Sequence, residues 1–126
     1  LQQIGQVLIV VWVINLSGIN FQKKLPGMLN FESHIQGDKP VVIDFFTEWC
    51  QPCKLMVPIL QEVKETVGER ASVLKMDIEK DPAFAELYSI QSVPTLMIFR
   101  KGRVYWRKNG ITSAHEILEH LQTLLD

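Results

Sequence analysis

Cysteine is scarce in this chain of 126 residues: Cys50 and Cys53 are its whole complement. Two cysteines are too few for the multiply bridged framework of a small secreted scaffold. The three histidines, His34, His115 and His120, are scattered, and no second cysteine pair exists. A closed zinc site needs four ligands, so metal binding is a poor rival for the chemistry of the pair. Excess charge is lacking as well. Thirteen Lys and Arg face 14 Asp and Glu, for a net charge of −1. That balance offers no electrostatic case for nucleic acid or for a strongly acidic substrate. Repeats, low-complexity tracts and long charge blocks are missing too. What is left is the composition of an ordinary soluble domain, 47% hydrophobic and 21% charged, sized for one modest core.

The front of the chain lacks charge altogether, with none before Lys23. The run Ile4 to Phe21 is almost wholly apolar, and three readings of it stand. As a helix, its core from Val7 to Ile19 is shorter than the ~20 residues of a comfortable membrane span. It is then an export signal or a short anchor. No Lys or Arg precedes it, which argues against an intact signal peptide. The chain starts at Leu1 and not at Met, which leaves room for an upstream part. If it spans a membrane, Lys23 and Lys24 weakly place the following domain on the cytoplasmic side. Alternatively, "VLIVVWV" is a packed strand, being rich in Val and Ile and of strand length. The last reading is a translation artefact. We therefore treat 1–24 as an apolar extension and 25–126 as the domain.

Within the domain the elements alternate. "LPGM" reads as a turn, and Asn30 as the cap of a short helix from Phe31 to Gln36, ended by Gly37. Val41 to Phe46, "VVIDFF", is apolar on both parities, as in a central strand covered on both faces. The helix that follows has Pro52 in its first turn and a stripe of Leu55, Met56, Ile59, Leu60, Val63 and Val67. Pro58 interrupts that stripe and predicts a kink; Gly68 ends the helix. Ser72 to Ile78 is a second strand. Asp81 and Pro82 open a short helix. Thr95 to Phe99 is a third strand, and "RKGR" turns it into a fourth, Val104 to Lys108. Ser113 and Glu116 have the spacing of a capping box for a final helix ending near Leu125. Helix, strand, helix, strand, helix, strand, strand, helix predicts a three-layer α/β domain with a mixed sheet and a right-handed crossover between its first two strands.

The chemistry concentrates in "DFFTEWCQPCK", Asp44 to Lys54. Cys50 and Cys53 stand three apart at a helix start, which brings the sulfurs within disulfide reach. Unpaired N–H groups and the helix dipole favour a thiolate at Cys50, and thiolate is the nucleophilic form. Cys50, at the exposed entry, is the attacking group; Cys53, one turn in, resolves the mixed disulfide. Asp44 lies mid-strand, opposite in parity to Val41, Ile43 and Phe45. Burial raises a carboxyl pKa, which suits an acceptor for the Cys53 proton near neutral pH. The plainer alternative is an Asp at a strand end bonded to backbone. Lys75, in the next strand, is placed to tune Asp44 or else is a solvated edge lysine.

From about Phe31 to Leu125 the chain closely resembles the thioredoxins. The resemblance rests on "VVIDFFTEWCQPCK", Pro58, "VLKMDIEKDP", "SVPTLMIF", "KGR" and Gly110, in that order. It implies a thioredoxin fold, with Cys50 attacking and Cys53 resolving, Asp44 as the buried acid and Lys75 as its neighbour. It also implies a cis Val93–Pro94 bond that turns the Val93 backbone toward substrate. Trp49, Gln51, Pro52, Val93, Pro94 and Gly110 become the substrate-binding rim. Read without it, Pro94 is a strand-entry proline, Trp49 a packing aromatic and Gly110 a turn glycine. Two departures stand out: Gln51 replaces the usual glycine between the first cysteine and the proline, and the family's first strand has no clear counterpart. Either Ile19 to Gln22 or "VLIVVWV" must supply it.

The resemblance implies a monomeric, cytoplasmic dithiol–disulfide oxidoreductase that reduces protein disulfides. It needs no metal, flavin or nucleotide cofactor, and it is re-reduced by a thioredoxin reductase. Two alternatives remain. One is an exported or membrane-anchored relative using residues 4–21 and a membrane thiol donor, for envelope disulfides or cytochrome maturation. The other is a redox-silent scaffold on the same fold, for which the two cysteines and Asp44 have no use.

Overall fold

The computed structural model describes the backbone of residues 10–14, 20–24 and 26–30 and the full residues 31–125. Val10–Ile14 (β1) pairs antiparallel with Asn20–Lys24 (β2), Val10 opposite Lys24 and Ile14 opposite Asn20. Both segments eligible to be the first strand thus hold strand, but they pair with each other in a two-stranded ribbon. Neither joins the four-stranded sheet. Residues 4–9 and 15–19, on which the signal or anchor reading also rests, lie outside the described residues. No helix among the described residues is long and apolar enough to cross a membrane.

The domain proper runs helix Pro26–Ile35 (α1), strand Val41–Phe46 (β3), helix Gln51–Val67 (α2), strand Ser72–Asp77 (β4), helix Pro82–Leu87 (α3), strands Thr95–Arg100 (β5) and Arg103–Asn109 (β6), and helix Ala114–Gln122 (α4). This is the order expected from the sequence. Two boundaries differ by more than one residue. α1 begins at Pro26 and takes in Pro26 to Met28 of the supposed "LPGM" turn, and Asn30. Pro26 is itself suited to a first helical position, where no N–H is needed, so the helix starts earlier and Asn30 lies inside it. α4 stops at Gln122, three residues short of the expected end.

The sheet order is β4-β3-β5-β6, with β3 parallel to β4 and antiparallel to β5. The parallel pair needs a crossover, which α2 supplies. Alternation along β3 divides the core in two. Val41, Ile43 and Phe45 pack with Phe31 and Ile35 of α1 and Phe84 of α3. Val42 packs with Met56, Leu60 and Val63 of α2 and Ile117 and Leu121 of α4. The sheet is therefore covered on both faces, as its unbroken apolar strands require. β5 and β6 form a hairpin closed by Lys101 and Gly102, both at positive φ (52° and 78°). A turn with two such residues matches the twist of the flanking strands.

Three features of this frame position the chemistry. β3 ends at Phe46, and its parity places Asp44 on the face of Val42, toward α2. α2 then starts with Pro52 in its first turn, and Gly68 ends it, its N–H donating to the Lys64 carbonyl. Pro58 lies inside α2 and has no N–H to give the Lys54 carbonyl. Finally, the loop 90–94 leads into β5, the strand beside β3, so its residues meet the start of α2 from the other side.

Candidate active site

Cys50 is the N-cap of α2, with extended backbone angles (φ −83°, ψ 114°). Its Sγ accepts a hydrogen bond from the Cys53 backbone N–H at 3.1 Å. A first-turn N–H is an orphan donor, and here sulfur takes it. Cys50 and Cys53 are joined as a disulfide across a Cα–Cα distance of 5.3 Å. Both cysteines are buried in this form, at 3% and 2% exposure. The Val93 carbonyl oxygen lies 3.7 Å from Cys50 Sγ, which brings the loop before β5 directly against the sulfur.

The Val93–Pro94 bond is cis. Two hydrogen bonds from neighbouring elements hold this loop. The Thr95 hydroxyl donates to the Ser92 carbonyl at 2.7 Å, and the Gly110 N–H donates to the Pro94 carbonyl at 2.8 Å. Gly110 has φ +90°, a conformation that side-chain-bearing residues avoid. Pro94 is buried, and Val93 and Gly110 are half-buried.

Asp44 is completely buried, and neither carboxylate oxygen has a hydrogen-bond partner among the described residues. Burial pushes its pKa up to about 7, and the Lys75 ammonium opposes this only in part. Lys75 stands directly beside Asp44 in the β3–β4 register. Its Nζ sits 4.2 Å from the centroid of the Phe46 ring. The cation therefore lies over an aromatic face and is not a freely solvated edge lysine. A cavity of about 170 Å³ runs beside Cys53 and is lined also by Thr47, Val57 and Lys75. The Thr47 hydroxyl is buried there without a hydrogen-bond partner among the described residues.

On the outer side a larger cleft of about 480 Å³ opens next to Cys50, with Trp49, Gln51, Pro52 and Val93 in its lining. Trp49 is 67% exposed, yet its indole N–H donates to Glu79 at 2.8 Å. Glu48 pairs with Lys80 at 3.5 Å. The turn after β4 is thus clasped to the loop that carries the cysteines. Asp77 shapes that turn by accepting from the Glu79 N–H at 2.9 Å. Asp81 follows, buried, its pKa raised to about 6 by burial and by Asp77, with Lys80 opposing. Sequence reasoning missed Glu79, Thr95 and Thr47. Glu79 is thirty positions from Trp49, and nothing local marks it; the one available signal was an exposed Trp with an N–H to satisfy.

Of the residues expected at the site, Trp49, Gln51, Pro52 and Val93 line the cleft next to Cys50, Pro94 and Gly110 are joined by a backbone hydrogen bond at the start of β5, and Lys75, the register neighbour of Asp44, lines the cavity beside Cys53. A mixed sheet covered by helices, with a two-cysteine disulfide capping the helix after its central strand, defines an α/β protein with a dithiol–disulfide site. The family model for thioredoxin matches residues 25–123, and the chain belongs to the thioredoxin family. It is 41% identical over 97 residues to thioredoxin Y2, chloroplastic, of Arabidopsis thaliana, covering 76% of this chain and 58% of that protein. Against thioredoxin Y, chloroplastic, of Oryza sativa it is 36% identical over 109 residues, covering 86% of this chain and 65% of that one. A thioredoxin-like protein of Synechocystis is 39% identical over 97 residues, with 76% and 92% covered. The chain therefore spans less than two thirds of the two plant proteins and most of the cyanobacterial one. A solved mutant thioredoxin from Halobacterium salinarum has the same fold, with a TM-score of 0.70 at 24% identity over 78% of this chain and 85% of that one.

Proposed function

We propose that the chain is a thiol–disulfide oxidoreductase that reduces disulfides in protein substrates. The observation that carries this is the sulfur of Cys50 at the N-cap of α2, accepting the Cys53 N–H at 3.1 Å. A donor aimed at that sulfur stabilises the thiolate once the disulfide is opened.

In the dithiol form, the Cys50 thiolate attacks one sulfur of a substrate disulfide. The substrate S–S bond breaks, a mixed disulfide forms, and one substrate thiolate leaves and takes a proton from solvent. Cys53 then loses its proton to the Asp44 carboxylate and attacks Cys50 Sγ. The Cys50–Cys53 bond forms and the second substrate thiolate departs. Two electrons have passed to the substrate, and the protein is left in the oxidised form described above. Asp44, with its pKa near 7, has a carboxylate basic enough to accept a thiol proton at neutral pH. Lys75 moderates how far burial raises it. Trp49, Pro52, Val93, Pro94 and Gly110 form the surface on which the substrate rests, with the Val93 backbone offering main-chain hydrogen bonds.

The electron source in this reading is a dithiol donor such as a thioredoxin reductase. The dithiol form needs a reducing compartment. Cytoplasm satisfies that need, and so does the chloroplast for which the plant relatives are named. Insulin reduction, started with a chemical or enzymatic reductant, tests the assignment. The wild-type chain should accelerate it and Cys50→Ser should not. Full activity in Cys50→Ser would remove the assignment.

A further inference from the structure

Among the lining residues of the cleft beside Cys50 none carries a formal charge. Its apolar walls include Trp49, Pro52 and Ile90, and its exposed polar side chains are Gln51, Gln91 and Ser92, Thr47 being buried. The charged residues around it stay outside the lining: Glu48 pairs with Lys80, and Glu79 accepts from the Trp49 indole at the outer wall. Gln51 heads α2, while Gln91 and Ser92 belong to the loop on the far side, and all three are exposed. Two amides and a hydroxyl therefore flank the mouth from opposite sides, with Cys50 between them.

We propose that this cleft selects the residues flanking the attacked cysteine, favouring uncharged and especially amide- or hydroxyl-bearing segments over acidic and basic ones. This rests on the oxidoreductase reading. A Gln side chain offers two donors and one acceptor oxygen, so it can match a substrate amide or hydroxyl in either sense. It offers no counter-charge. A substrate Lys or Glu entering the cleft loses hydration against an apolar wall with no charged lining side chain to replace it. The penalty has no sign preference, which distinguishes it from steering by a charged patch, where one sign gains as the other loses. Gln51 and Gln91 are the residues that set the preference.

The test uses four short peptides, each a disulfide-linked homodimer with Asn, Ala, Lys or Glu immediately before the cysteine. The full chain is pre-reduced and freed of reductant. One equivalent of its dithiol is then oxidised as one peptide disulfide becomes two peptide thiols. Each second-order rate constant is divided by that for dithiothreitol with the same peptide, which removes intrinsic differences in thiol chemistry. Asn and Ala peptides should react about tenfold faster than both Lys and Glu peptides on this scale, as expected for a desolvation penalty in a partly open site. In Gln51→Lys/Gln91→Lys, the Glu peptide should overtake the Asn peptide while the Lys peptide falls further. Equal normalised rates, or one charged peptide faster than the neutral pair, overturn the proposal and leave the oxidoreductase reading standing. An unchanged ranking in the double variant overturns the assignment to the two glutamines. No reduction of any peptide removes the oxidoreductase reading and this proposal with it.

Discussion

Replacing Asp44 by Asn should stabilise the oxidised protein, and by an amount that depends on pH. The wild-type carboxyl is fully buried with no hydrogen-bond partner among the described residues, and its pKa stands at about 7 against 3.8 in an exposed chain. Below pH 3.8 the group is neutral in both the folded and unfolded states and contributes nothing differential. Between there and pH 7 the unfolded carboxyl has ionised and the folded one has not. The folded state then holds the extra proton, so stability falls as pH rises. Above pH 7 the full penalty is present, about 4 kcal/mol at 1.36 kcal/mol per pKa unit. Asn is nearly isosteric and cannot ionise, so it removes that penalty while retaining a buried polar group. Urea unfolding of wild type and Asp44→Asn at pH 4.5 and pH 8 measures it. Asp81 titrates in the same direction, so the wild-type pH slope alone is ambiguous, but the difference between the two proteins isolates Asp44. The stabilisation by Asn should be larger at pH 8 than at pH 4.5 by a few kcal/mol. Equal differences at the two pH values would refute the reasoning, because the carboxyl would then be ionised in the fold at both.

The same substitution should slow the resolving step more than the first attack, read by single-turnover kinetics that separate mixed-disulfide formation from its decay; equal slowing removes Asp44 from the mechanism. Phe84→Ala should destabilise by about 3–5 kcal/mol in denaturant unfolding, because Phe84 is fully buried and its ring lies 4.5 Å from that of Phe31. Gly110→Ala should cost only about 1–2 kcal/mol, since φ is +90° but an added Cβ meets no atom within 4 Å. A loss above about 3 kcal/mol, in the range of core truncations, would mean that Gly110 is held by packing and not by its backbone conformation.

Much of the site was legible because its parts are local. Cys50, Pro52 and Cys53 define a helix start by spacing alone, and the structure places Cys50 at the cap. Asp44 was legible as buried because "VVIDFF" is apolar on both parities, which only a strand covered on two faces explains. The pairing of Lys75 beside Asp44 was within reach too, since two strands joined by one helix lie parallel and in a definable register. What was not legible depended on contacts remote in sequence. The Trp49–Glu79 bond, the Gly110–Pro94 bond and the charge-free cleft each join segments that only the folded sheet brings together. α1 shows a different limit. "LPGM" carries both turn and helix-start signals, and the packing of Phe31 and Ile35 against β3 favours the longer helix. At the front, period and length could not tell a strand from a short apolar helix; the described parts, Val10–Ile14 and Asn20–Lys24, are paired strands.

The division of labour between the cysteines is the centre of the account, and mass spectrometry of a trapped intermediate tests it most directly. Reduced Cys53→Ser is mixed with a disulfide-linked peptide dimer, quenched with acid and digested. The account predicts a stable adduct of one peptide chain on Cys50, with release of the other as free thiol. In wild type the same treatment should give the Cys50–Cys53 disulfide and two free peptide thiols. The reciprocal variant, Cys50→Ser, should carry no adduct. A peptide adduct on Cys53 in Cys50→Ser, forming as fast as that on Cys50 in Cys53→Ser, would contradict the account.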